Sequence, residues 1–138
     1  MKPIVLKSLF NLLGAGALGN GLWMLFFAEN WYQNIPAAIH DTGPLNTHFV
    51  HDIGLVFSIA GIALLWCAQN IHRSYLVFLG VVLFYVGHAL IHVVEILVGL
   101  LPPSHWWIDF PLVFLPAMVL LAVAPALFRL NQQTELTS

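Results

Sequence analysis

The sequence predicts an all-α, polytopic membrane fold, with four transmembrane helices packed as one bundle over residues 1–138. Three observations predict it. Hydrophobic residues make up 60% of the chain and charged residues 7%, and the mean hydropathy is +0.89, well above that of soluble domains. Four apolar runs each reach the about 20 residues needed to cross the hydrocarbon core. The stretches between them are too short to hold a second domain.

The first run, Ile4–Ala28, follows Lys2 and contains Lys7, a basic start that a secretory signal shares. A signal has an apolar region of about 7–15 residues and then a small-residue cleavage site. This run is longer and ends Phe26-Phe27-Ala28-Glu29-Asn30 without such a site, so it reads as a retained helix. Its Gly14–Gly21 stretch is built of small residues, and pairs four apart, Ala15/Gly19 and Ala17/Gly21, predict close packing inside the bundle. Asn20, in the outer half of this helix, needs a polar partner.

The longest connection, Glu29–Asn46, carries the turn signal His40-Asp41-Thr42-Gly43-Pro44, and Asn46 is placed to cap the second helix, Thr47–Gln69. A short turn around Arg73 leads to the third, Ser74–Leu101, and makes the two antiparallel neighbours. The fourth, Trp107–Leu130, contains Pro111, Pro116 and Pro125, with a kink expected at Pro116 and a polar tail from Asn131. Asp109 reads as an N-cap or as a contributor to a polar site, and His105 as an interfacial residue.

Every cation, Lys2, Lys7, Arg73 and Arg129, falls at one end of the bundle, while the other end carries Glu29 and Asp41. The positive-inside rule places the cationic end, with both termini, in the cytoplasm. Trp31, Tyr32, Trp106 and Trp107 would form an aromatic belt at the outer face. The expected location is therefore a bacterial inner (cytoplasmic) membrane, and the first partner is the lipid bilayer. Four cations flanking a bilayer exclude nucleic-acid binding. The lone Cys67 excludes an internal disulfide. A transporter built from one such chain is disfavoured without oligomerisation, since no inverted repeat is visible. No oxyanion-hole element accompanies Ser58 and His51, which disfavours a hydrolytic triad.

Two polar stripes interrupt the apolar runs: His48, His51 and Asp52 on the second helix, then His88, His92 and Glu95 on the third. Ionisable groups at membrane depth are functional candidates by default. At 100° per residue the first three span roughly 100° of arc and the last three roughly 60°. With the short turn fixing relative height, all six lie within roughly 10 Å along the bundle axis. Imidazole and carboxylate together suit a transition metal such as iron, copper or zinc. The stripes predict a metal site near the periplasmic side, ligated by His48, Asp52, His88, His92 and Glu95, with Glu95 also a candidate catalytic proton acceptor. His51 would be a further ligand or a supporting group.

That site would serve an oxidoreductase or oxygenase acting on a lipid-soluble substrate such as a quinone. Two other readings stay open. One is a haem b site needing one His from each of two facing helices, in a carrier or an accessory subunit of a larger membrane complex. The other is a structural protein locked by a buried polar network. Metal identity, substrate and oligomeric state, including a homo-oligomer, stay open.

The segment Asn46-Thr47-His48-Phe49-Val50-His51-Asp52-Ile53-Gly54, with His88-x-x-x-His92 on the next helix, resembles a group of small bacterial four-helix membrane proteins. Their layout is similar to that of the DoxX-like superfamily. In that pattern an Arg often stands where this chain has His51, so the resemblance implies His48, Asp52, His88 and His92 as the primary set. The association of some DoxX-like proteins with respiratory or sulfur-oxidising complexes implies an oxidoreductase link.

Overall fold

The computed structural model describes residues 1–135, with side chains through Gln133. Its long helices are α1 (Pro3–Phe26), α3 (Thr47–Gln69), α4 (Tyr75–Leu97) and α6 (Leu115–Glu135). Short helices α2 (Ala28–Asn34) and α5 (His105–Ile108) lie in the connections at one end, with a 3-10 turn at Ile39–Thr42. A π-helical turn, Phe110–Phe114, runs into α6, so the last span is Phe110–Gln133. Each of the four spans is long and apolar enough to cross a bilayer, and together they make a multi-pass membrane bundle.

α1 and α3 form the tightest pair because their contact faces have almost no side chains. Gly14, Ala17 and Gly21 of α1 are buried against Gly54, Ser58 and Gly61 of α3. A Cβ added at Gly61 would lie 2.5 Å from the Leu18 nitrogen, and one at Gly21 would lie 2.6 Å from the Gly54 carbonyl oxygen. The register therefore runs through Gly14, Ala17 and Gly21. Ala15 and Gly19, one of the two expected pairs, face outward.

At the end bearing the cations, all four spans converge on one packed core that includes Leu6, Phe10, Leu64, Ile71, Phe78, Leu120 and Leu127. Phe10 and Phe78 stack there with ring centroids 5.1 Å apart. Asn131, expected to open a polar tail, is instead buried within α6. Its amide donates to the carbonyls of Ile71 (2.8 Å) and Leu127 (3.1 Å) and accepts from the Tyr75 backbone N–H (3.1 Å), tying α6 to the α3–α4 turn.

The other end differs from expectation in three places. α4 stops at Leu97 rather than Leu101 because Gly99 adopts φ +78°. The N–H of Leu100 then returns to the Glu95 carbonyl (2.9 Å) and that of Gly99 to Ile96 (3.3 Å), a Schellman ending that glycine permits. The irregularity of the last span precedes Pro116. In the π turn the Phe114 N–H reaches the Asp109 carbonyl (3.3 Å), five residues back, and the Leu115 N–H reaches Phe110. Trp31 leaves the expected outer belt and turns inward, where its indole N–H donates to the Asn20 side chain (2.9 Å) and supplies the partner that residue needed. Asn46 caps α3 as expected, accepting from the Phe49 N–H at 3.3 Å.

Candidate site: a histidine–aspartate chain beside an intramembrane cavity

Opposite the packed core, the helices enclose a cavity of about 670 Å³. Its apolar depth is lined by Leu12, Leu13, Gly16, Tyr85, Leu112 and Pro116. Nearer the loops stand Asn20, Trp31, His88, His92, Glu95 and Asp109. The cavity exists because α1 packs on α3 and α4 packs on α6, whereas α1 and α6 barely touch. Leu12 and Gly16 of α1 and Leu112 of the last span both line the cavity and are exposed at the bundle surface. The cavity therefore opens sideways, between α1 and the last span.

Asp109 is the centre of the polar end. Oδ2 of this buried carboxylate lies 2.8 Å from His92 Nδ1 and 3.0 Å from His105 Nδ1. A carboxylate only accepts, so both imidazoles donate their Nδ1–H to it. His105, fully buried, turns its Nε2 to Asp41 Oδ2 at 3.1 Å, and the Asp41 side chain is 44% exposed. The four side chains form a chain from the surface of the connections at the end away from the cations, through Asp41, His105 and Asp109, to His92 at the cavity. Local geometry sets it up. His105 and Asp109 are one helical turn apart, with the Asp109 N–H bonded to the His105 carbonyl (3.0 Å), and the 3-10 turn presents Asp41. Burial works against a charged His105, but its hydrogen bonds to Asp41 and Asp109 and the charges of both outweigh it and hold the imidazole's pKa above its ordinary value.

His92 Nε2 has no hydrogen bond among the described residues, and the residue lines the cavity. With its Nδ1–H held by Asp109, Nε2 is a fixed lone pair able to accept a hydrogen bond or a proton from a bound molecule. His88 stands beside it, ring centroids 4.8 Å apart, wedged among Phe57 (5.7 Å) and Phe84 (6.0 Å). The Glu95 side chain is half-buried and takes no hydrogen bond or ion pair among the described residues.

The six residues expected to form one metal site therefore separate into two groups. His88, His92 and Glu95 share the cavity. His48, His51 and Asp52 do not reach it: His48 Nε2 pairs with Asp52 Oδ2 at 3.5 Å on an open flank of α3, with side chains 83% and 60% exposed. The cause is the rotation of α3. Gly54, Ser58 and Gly61 lock one face onto α1, and the cavity receives Phe49, Val50, Ile53 and Phe57. The His48/His51/Asp52 stripe is centred roughly 160° from that cavity face. These three lie within the first two turns of α3, near the bilayer boundary, where polar side chains are cheap to keep.

Among the described residues, no three His, Cys, Asp or Glu side chains are gathered so as to hold a metal ion. The donor set thus does not fit the expected site: His92 keeps Nε2 free, but His48, His51 and Asp52 face away from the cavity, so α3 supplies no ligand. Nor does it fit a haem held between α3 and α4, since the α3 histidines point away.

Sequence reasoning missed His105 and Asp41 as members of the site and left Asp109 between two roles. Asp109 makes no side-chain cap bond, so the site claims it. The available signal was the His105-x-x-x-Asp109 spacing, which puts two polar groups on one face of a turn. No family model, curated protein or solved structure matches this chain. What fold and site define by themselves is a four-helix membrane bundle, closed at its cationic end and hollow at the other, with a buried His–Asp chain beside the hollow.

Proposed function

We propose that this bundle binds a small lipid-soluble molecule with a polar end, taken up sideways from the bilayer. The observation that carries the reading is the cavity of about 670 Å³, within the size range of small-molecule sites, apolar in its depth and polar at one end. The apolar part of the ligand lies among Leu12, Leu13, Tyr85, Leu112 and Pro116, and its polar end against His92 and Glu95. The exposed cavity residues Leu12, Gly16 and Leu112 support access between α1 and the last span. This reading keeps the lipid-soluble substrate expected from the sequence and leaves out the metal and the haem, because the donors do not gather. The Asp41–His105–Asp109–His92 chain holds the outer connections over the polar end. We place the cationic end in the cytoplasm of a bacterial inner membrane, which puts the polar end of the cavity near the periplasmic face.

The test uses a brominated long-chain alcohol, a neutral heavy-atom quencher, with protein whose Trp66, Trp106 and Trp107 are replaced by Phe. The remaining Trp23 and Trp31 line the cavity. Saturable quenching is expected, and Gly16→Phe should abolish it, since open space within 4 Å of the Gly16 Cβ position lets a ring fill the opening. Quenching that rises without saturation, or that Gly16→Phe leaves intact, overturns the reading.

A further inference from the structure

We infer that the molecule this cavity selects is a lipophilic cation, an inference that rests on the binding role just proposed and names its ligand class. The lining contains two carboxylates, Glu95 and Asp109, and no Lys or Arg. All four Lys and Arg residues of the chain lie at the opposite end of the bundle. Behind Asp109, a single imidazole, His105, stands between two carboxylates, Asp109 and Asp41, so even when it is protonated those three side chains stay net negative. Glu95 adds a further negative charge with no partner among the described residues. Charges surrounded by apolar side chains and lipid are weakly screened, so this imbalance acts on whatever enters. An anion is repelled, a neutral molecule leaves Glu95 unpaired, and a cation pairs it.

The aromatic lining points the same way. Trp23, Trp31, Phe49, Phe57 and Tyr85 all line the cavity, and ring faces attract cations, most of all where water is excluded. The indoles are fixed in place: Trp31 donates to Asn20 (2.9 Å) and Trp23 to Asn30 (2.9 Å). Their N–H groups are thereby occupied, leaving the rings as their contribution to the site. An apolar hollow with anchored aromatic walls and, at its polar end, a carboxylate with no partner among the described residues fits a hydrophobic ammonium or phosphonium ion.

Tetraphenylphosphonium and tetraphenylborate, nearly equal in shape and opposite in charge, separate sign from hydrophobicity. Binding of each is measured by equilibrium dialysis on the full chain in a non-ionic detergent. Tetraphenylphosphonium should bind saturably and at least tenfold more tightly than tetraphenylborate. Glu95→Gln should remove most of that preference, and Asp52→Asn, outside the cavity, should leave it intact. Equal binding of the two ions, both blocked by Gly16→Phe, overturns the cation inference and leaves the cavity reading standing. Failure of both ions and of the brominated alcohol overturns both. Tetraphenylphosphonium binding that Glu95→Gln does not weaken also overturns the cation inference.

Discussion

His92 Nδ1 and Asp109 Oδ2 meet at 2.8 Å, joining α4 to the start of the last span where the π turn begins. Val113 and Phe114 both donate backbone N–H groups to the Asp109 carbonyl, at 2.8 and 3.3 Å, so the residue that collects two imidazoles with its side chain also anchors the irregular turn with its backbone. π turns of this kind recur at functional sites. Here the widened turn holds the Asp109 carboxylate beside the cavity with Pro111 and Leu112 in its wall.

Replacing Asp109 by Ala strands the N–H groups of two histidines, one of them fully buried. Breaking a buried charged pair from one side costs roughly 3–5 kcal/mol. The variant should unfold at clearly lower temperature in detergent than the parent chain, as read by circular dichroism. An unchanged melting temperature would mean that the chain from Asp41 to His92 does not hold the hollow end together.

Stability should fall as pH rises above the ordinary histidine value of about 6.5. His105 has a folded-state pKa above its ordinary value: burial opposes the charge, and the Asp41 and Asp109 hydrogen bonds and charges outweigh it. A group raised on folding contributes in full below its unfolded value, about 6.5, and the contribution disappears as pH climbs through the raised folded value. Melting temperatures recorded from pH 6 upward should decline over that window, and His105→Gln should flatten the decline. The groups facing the imidazole are Asp41 and Asp109, with His92 on the far side of Asp109.

The triple variant His48→Ala, His51→Ala, Asp52→Asn should keep the parent stability to within about 0.5 kcal/mol, as is usual for surface changes away from special features. It should also keep saturable quenching by the brominated alcohol. Loss of that binding would restore the α3 stripe to the site.

Glycines on the α1–α3 contact should behave unlike glycines on open faces. Gly61→Ala drives a Cβ to 2.5 Å from the Leu18 nitrogen, and forced overpacking costs about 1–3 kcal/mol. Gly80→Ala, where nothing lies within 4 Å, should be neutral or slightly stabilising through helix propensity. Thermal unfolding of the two variants side by side decides it.

Orientation is checked with a membrane-impermeant maleimide in a chain whose Cys67 is replaced by Ala. A cysteine at Asn34 in the outer connection should label in intact cells, and one at Arg73 should label only after the membrane is opened. The reverse pattern would invert the bundle.

Much of the fold is written locally. Run lengths marked four spans, Asn46 marked the start of α3, and Gly99 marks the end of α4 once its left-handed conformation is known. The stripe His88, His92 and Glu95 follows helical spacing alone and does share one cavity. The expectation that His48 and Asp52 join it needed a further quantity, the rotation of α3 about its axis. A soluble helix declares that rotation through its single apolar face, but a helix in lipid is apolar all round. On α3 the rotation was set by Gly54, Ser58 and Gly61 meeting Gly14, Ala17 and Gly21, a contact that no periodicity of hydrophobicity reports.

By itself, then, the sequence determined the number and length of the spans, the end that carries the cations and the polar stripe on α4, because each depends on residues close together in the chain. Only the tertiary structure decided which helix faces meet and that Asp41, His105, Asp109 and His92 form one chain. Those partners are brought together across up to 64 positions of sequence by packing between helices, and backbone-to-backbone contact at glycines chooses that packing rather than any pattern along one strand of the chain.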